Sequence, residues 1–216
     1  DKGEDRAATA LTSSEISMPA VATLVLVAAG LLVAADARLP HGAVVTLAIA
    51  VGLSIINVFR RAWRPHQAVL GRVDGMAGYH DSQFTPTTHH LPGLVIYRFD
   101  APLFFANART FRDQVRHLAK AAHRPQWVVV AAEPITDVDT TAADILEDLD
   151  LELNADGISL VFAELKTPVR QKIERYELTD TMNPDHFFET ITEAVEAFRE
   201  QTGAQWTEGP GPFTLR

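Results

Sequence analysis

The chain has 216 residues, with 19 basic against 28 acidic side chains, a formal charge of −9 at pH 7 and no cysteine. Disulfide frameworks and thiolate metal sites are therefore excluded, and a reducing compartment is tolerated. Six basic and five acidic residues lie up to Pro65, leaving 13 and 23 beyond it; that acidic excess argues against nucleic acid as a partner, because phosphate backbones call for basic patches.

Residues 1–15, with Asp1, Lys2, Glu4, Asp5 and Arg6, read as a polar leader. Residues 16–59 then form two long apolar stretches broken by the short turn Asp36-Ala37-Arg38. From Ile16 to Ala35 nothing is charged, and about 20 residues rising about 1.5 Å each cover the roughly 30 Å of a bilayer core. Leu39 to Phe59 gives a second span of similar length, and Gly30, Gly52 and many alanines offer close helix packing. The turn is too short for a domain, so a transmembrane hairpin is expected. Arg60, Arg61 and Arg64 follow it in a basic juxtamembrane linker at 60–66, whereas the turn holds only Arg38 beside Asp36. By the positive-inside rule both ends of the hairpin face the cytoplasm, with Trp63 in the interfacial belt. A signal peptide does not fit, since the apolar stretch is long, lacks a basic lead-in and is followed at once by another. The absence of an initiating methionine, and two small-residue-rich spans with no partner, lead us to expect a longer membrane protein.

Beyond Pro65 short β-runs alternate with helical periodicity. Ala68–Val73 reads as a strand, and Asp74-Gly75 opens a polar loop to Pro92. Gly93–Phe99 is a strand and Leu103–Phe105 a shorter one after the turn at Asp100. A helix from about Asn107 to His123 carries Phe111, Val115, Leu118 and Ala122 on one face. Trp127–Ala132 is a continuous apolar strand, of the kind buried on both faces of a sheet. Helix returns from Thr141 to about Leu153, strand from Ile158 to Ala163, and helices from Pro168 to Tyr176 and from Phe187 to Phe198. Residues 67–201 thus make one α/β domain, a mixed sheet with packed helices. Residues 202–216, with Gly209-Pro210-Gly211-Pro212, read as a flexible tail.

This order of elements, with Asp-Val-Asp-Thr-Thr-Ala at 137–142 heading a helix, resembles a STAS domain, the fold of bacterial anti-sigma-factor antagonists. Arg64-Pro65-His66, Leu70–Val73 and the run Tyr97–Ala108 resemble the C-terminal region of SulP-type sulfate permeases, in which a STAS domain follows the last membrane helices. The resemblance implies an α/β STAS domain preceded by the last two spans of a secondary anion transporter in the cell (inner) membrane, multi-pass, with the STAS domain cytoplasmic. It also implies, as partners, the lipid bilayer, an upstream transport core and a homodimer. Sulfate or a related anion would bind outside this segment. The alternative is a membrane-tethered STAS switch working as anti-sigma-factor antagonists do; a fragment without independent activity is the third reading.

In the antagonists a serine at this helix start is phosphorylated, and the resemblance carries that position onto Thr141, with Asp139 and Thr140 beside it. A helix N-terminus welcomes phosphate, nucleotide or another anion, although Asp137 and Asp139 oppose added negative charge. The same residues also read as a helix cap, Thr141 with Asp144 three residues on. His80, His89 and His90 share one loop but lack metal-ligand spacing and read as solvated, so no metal is expected. Phosphate loops, dinucleotide fingerprints and nucleophile elbows are absent; neither a cofactor nor a catalytic residue is expected, and the chain does not read as an enzyme.

Overall fold

The computed structural model describes residues 40–63, 65–85, 88–121, 123–176, 178, 182–209, 211–213 and 215. Two compact units divide the chain, 1–61 and 62–216. In the first, the described element is α1 (Pro40–Trp63), a helix of 24 residues. The span expected at 16–35, the turn at 36–38, the leader and Arg64 lie outside the described residues. Among the described residues, no helix is long and apolar enough to cross a membrane; within α1 the continuous run whose side chains are described extends only over 47–57.

The second unit is built on a mixed sheet of β1 (Gln67–Val73), β2 (Tyr79–Asp81), β3 (Thr88–His90), β4 (Leu94–Phe99), β5 (Trp127–Ala131), β6 (Ser159–Ala163), β7 (Phe187–Phe188) and β8 (Thr207–Glu208). The order is β7-β6-β5-β4-β1-β3-β8, with β2 also on β1. β4 through β7 are parallel and β1 is antiparallel to β4. Among the described residues the α-helices that follow the strands are α2 (Ala108–Ala119), α3 (Thr140–Ala155), α4 (Thr167–Arg175) and α5 (Ile191–Thr202).

The period-two alternation of the strands splits the core in two. Val95, Tyr97, Phe99, Val128, Val130 and Phe162 face α2, α3 and α4, packing on Phe111, Leu118, Leu149 and Val169. Leu94, Ile96, Val129, Ala131 and Val161 face the opposite way, onto Ala194, Val195 and Phe198 of α5. A fully buried aromatic cluster anchors the first layer: Phe111 stands 5.5 Å from Phe99, edge-on, and 5.6 Å from Tyr97. The Tyr97 hydroxyl donates to Gln67 Oε1 at 2.7 Å, which supplies the partner that a buried phenol requires.

Four expectations are corrected. The polar loop 74–92 contains β2 and β3, whose short His- and Thr-rich runs are made strands by pairing with β1. Gly71 permits the approach of β3, since a side chain there would meet Thr88 Cβ at 2.9 Å. Leu103–Phe105 is not a strand; Leu103 makes an isolated parallel bridge to Val138. The last helix starts at Ile191 rather than Phe187, because Thr190 accepts from the Glu193 N–H at 3.1 Å, a capping arrangement of the Thr-x-x-Glu type. That leaves Phe187 to pair with β6, its ring stacked on Phe162 at 5.6 Å. The stretch after 201 is not a loose tail where it is described: β8 pairs with β3, and Phe213 is buried in the first core layer.

Candidate functional site

The candidate site lies where the loops after β4 and β5 cross, beyond the carboxyl ends of the parallel strands, the usual place for ligands and partners of such sheets. Asn107, wholly buried just before α2, shapes the first loop. Its Nδ2 donates to the Pro102 carbonyl at 2.8 Å and its Oδ1 accepts from the Phe104 N–H at 3.0 Å, so the chain from 102 to 107 closes on itself. Leu103 then binds the second loop on both sides: its N–H donates to the Asp137 carbonyl at 2.9 Å and its carbonyl accepts from the Asp139 N–H at 3.1 Å.

Asp139 joins the two loops. Its Oδ1 accepts from the Ala142 N–H at 2.8 Å, capping α3, and its Oδ2 accepts from the Phe105 N–H at 2.9 Å. The cap of α3 is thus Asp139 and not Thr141 with Asp144, which corrects the capping expectation. A carboxylate at that position also suits the positive end of the helix dipole. Thr140 and Thr141 are the first two residues of α3, and both are exposed. Phe105 stands out beside them, 63% exposed, with its ring edge-on to Phe104.

Charge around this corner is paired. Asp137 accepts from Lys172 of α4 and from the N–H of Val138 at 2.8 Å. The Lys172 hydrogen bond, reinforced by Val138, holds the Asp137 carboxyl below its ordinary range, and the same bond raises Lys172. Lys166, which precedes α4, pairs with Glu133 at 3.4 Å. Asp100, expected to form a turn, forms an ion pair with Arg98 at 2.9 Å, accepts from its Nη2 at 3.4 Å and donates its N–H to the His66 carbonyl. Arg60 and Arg61 lie in the last turn of α1; their side chains are outside the description.

The structure therefore brings Asp139, Thr140 and Thr141 together and adds Phe105, Asn107 and Lys172, which sequence reasoning did not single out. Asn107 stands at the start of the predicted helix, but its side chain makes no capping bond to α2 and closes the preceding loop instead. Lys172 carried no readable signal, since it meets Asp137 across 35 positions. The three loop histidines go separate ways: His89 pairs with Asp74 at 3.0 Å, while His80 and His90 bond the carbonyls of Ala77 and Gly209. Among the described residues no group of three or more side chains is placed to hold a metal ion.

Comparison with known proteins places the domain in a family. Residues 85–194 match the model of the STAS domain family. Over 155 residues, 70% of this chain and 27% of the relative, the sequence is 43% identical to a "Probable sulfate transporter" of Mycobacterium tuberculosis (strain H37Rv). It is 31% identical over 160 residues to sulfate transporter 1.3 of Arabidopsis thaliana, covering 70% of this chain and 24% of that protein. The chain thus spans about a quarter of the length of these curated relatives. Among solved structures, murine solute carrier 26 family member A9, an anion transporter, superposes with a TM-score of 0.65 at 19% identity, covering 73% of this chain and 26% of that one. At that identity the likeness speaks for the fold alone.

Proposed function

Because the chain belongs to the STAS domain family, we propose that it forms the membrane and regulatory portion of a secondary anion transporter of the SulP type, with sulfate the anion carried. The observation that carries this reading is the 43% identity over 155 residues to a protein named as a sulfate transporter. The apolar helix at 40–63 supports a membrane location: residues 40–59 are uncharged, and Val45, Leu47, Ile49, Val51, Leu53 and Ile55 are all about half exposed or more. An apolar surface of that kind is unfavourable in water and suits lipid. On this reading residues 16–59 form a hairpin, Arg60, Arg61 and Arg64 hold its ends at the cytoplasmic face, and the STAS domain lies in the cytoplasm. The domain supports assembly, including a homodimer, or receives a cytoplasmic signal, and performs no chemistry itself.

The test is sulfate uptake by cells expressing the full-length transporter with and without residues 67–213. Reduced uptake, or reduced transporter at the membrane, is the expected result; unchanged uptake at an unchanged surface level overturns the proposal. A second reading, a tethered switch of the antagonist kind, draws on the exposure of Thr140 and Thr141 at the start of α3. It requires phosphate on one of these threonines. Mass spectrometry of the protein from its native cells, together with the Thr141→Ala variant, distinguishes it from a role in transport alone.

A further inference from the structure

On the face of the sheet opposite α2–α4, a cavity of about 310 Å³ opens between the β1–β2 turn, α5 and the segment entering β8. Its chemistry comes from Arg72, Tyr79, Thr192, Glu196, Arg199 and Trp206, with residues 76–78 of the turn at its lip. The volume lies at the small end of ordinary ligand pockets. Trp206 forms a fixed wall: the Arg72 guanidinium lies 5.4 Å above its ring, and Tyr79 lies 6.5 Å away at 33°.

Two buried donors here have no hydrogen-bond partner, Arg199 Nε and Trp206 Nε1. Native structures rarely leave such groups orphaned, because each loses its water without replacement. Neither Arg72 nor Arg199 forms an ion pair among the described residues. One carboxylate, Glu196, lines the cavity against these two guanidiniums. Neither orphaned group can accept a hydrogen bond, so an occupant that satisfies both presents acceptors, and the surplus of positive charge favours an anion.

We propose that this cavity is an oxyanion site, in which Arg199 Nε and Trp206 Nε1 donate to the anion's oxygens and Arg72 adds charge from the wall. The site is separate from the threonine corner and does not depend on the transport reading, since its test reads binding alone.

The experiment is isothermal titration of the purified full chain in detergent with sodium sulfate and, in a second arm, sodium acetate. Sodium chloride at matched ionic strength is the control. Saturable one-to-one binding of an oxyanion, absent with chloride, is expected. Preference for acetate would identify a carboxylate, such as an acidic side chain, as the occupant; preference for sulfate, a tetrahedral anion. Arg199→Gln should weaken binding about tenfold or more, the scale of one charge-assisted hydrogen bond. Trp206→Phe keeps the ring but removes the N–H, and should weaken it several-fold. Glu196→Gln should tighten it by removing a repelling charge. If Arg199→Gln fails to fold by circular dichroism, Arg199→Lys keeps the charge but displaces Nε, and should still weaken binding. Absence of saturable binding to either oxyanion, or equal affinity in the Arg199 and Glu196 variants, overturns the proposal.

Discussion

The same three residue types, valine, leucine and isoleucine, meet opposite surroundings in the two units of this chain. In α1, Leu47, Ile49, Val51 and Ile55 are all about half exposed or more. In the sheet, Val128, Val129, Val130 and Val161 have no exposed surface at all, because helices cover both faces. Side-chain hydrophobicity is thus no guide to burial within the chain; it shows only that water is not the intended neighbour. In the sheet the neighbour is the protein itself, whereas for α1 we propose lipid.

The comparison breaks most visibly in the buried layer. Phe111→Ala should destabilise the domain by about 3–5 kcal/mol, the usual cost of emptying a packed aromatic site, as read by urea unfolding. Leu47→Ala on α1 should leave that transition unmoved. In α1 the sensitive change is charge rather than volume. With α1 in lipid as proposed, Val51→Arg should cost about 2.5–3.5 kcal/mol of membrane insertion and reduce the fraction resisting alkaline extraction of membranes.

A fourth variant should stabilise the protein. Asp150 of α3 is 1% exposed, its Oδ2 accepts from Asn154 at 2.8 Å, and its Oδ1 has no partner. Burial pushes its carboxyl up to about 6, with Asn154 pulling weakly the other way. A carboxyl raised in the folded state binds its proton more tightly there than in the unfolded chain. Its contribution is therefore full below about pH 4 and is lost as pH rises through about 6. Asp150→Asn should raise stability by about 1–2 kcal/mol at pH 7.5. The gain should shrink as pH falls toward 4, as measured by unfolding at a series of pH values. The smallest effect is expected at the loop crossing. Asp139→Ala should cost about 1 kcal/mol as a lost cap and loosen the 102–107 loop, while Asp139→Asn should retain most of the stability.

The strands that form the centre of the sheet were legible because they are buried on both faces: Val95-Ile96-Tyr97 and Val128-Val129-Val130 are continuous apolar runs that need no partner to be recognised. β2, β3 and β8 were not, because Tyr79-His80-Asp81, Thr88-His89-His90 and Thr207-Glu208 carry no strand period of their own and exist through pairing with a neighbour. Phe187-Phe188 misled for a related reason: its apolar pair suits a helix or a strand, and the Thr190 cap decides between them. At the candidate site, Asp139 through Thr141, expected to act together, do lie side by side at one loop crossing, but the cap is Asp139 and not Thr141. The deciding contact, Phe105 N–H to Asp139, joins positions 34 apart. Asn107 fixes its loop through backbone groups three and five residues away, a closure that composition does not reveal.

The absence of native cysteine allows the central claim to be tested by placing single thiols in the full chain. One would replace Ile49 in α1 and another Glu193, exposed on α5. A membrane-impermeant maleimide should label the Glu193→Cys thiol in inverted vesicles but not in intact cells, and the Ile49→Cys thiol in neither. Labelling of the Ile49→Cys thiol from water, or of the Glu193→Cys thiol from outside intact cells, would contradict a lipid-embedded helix carrying a cytoplasmic domain.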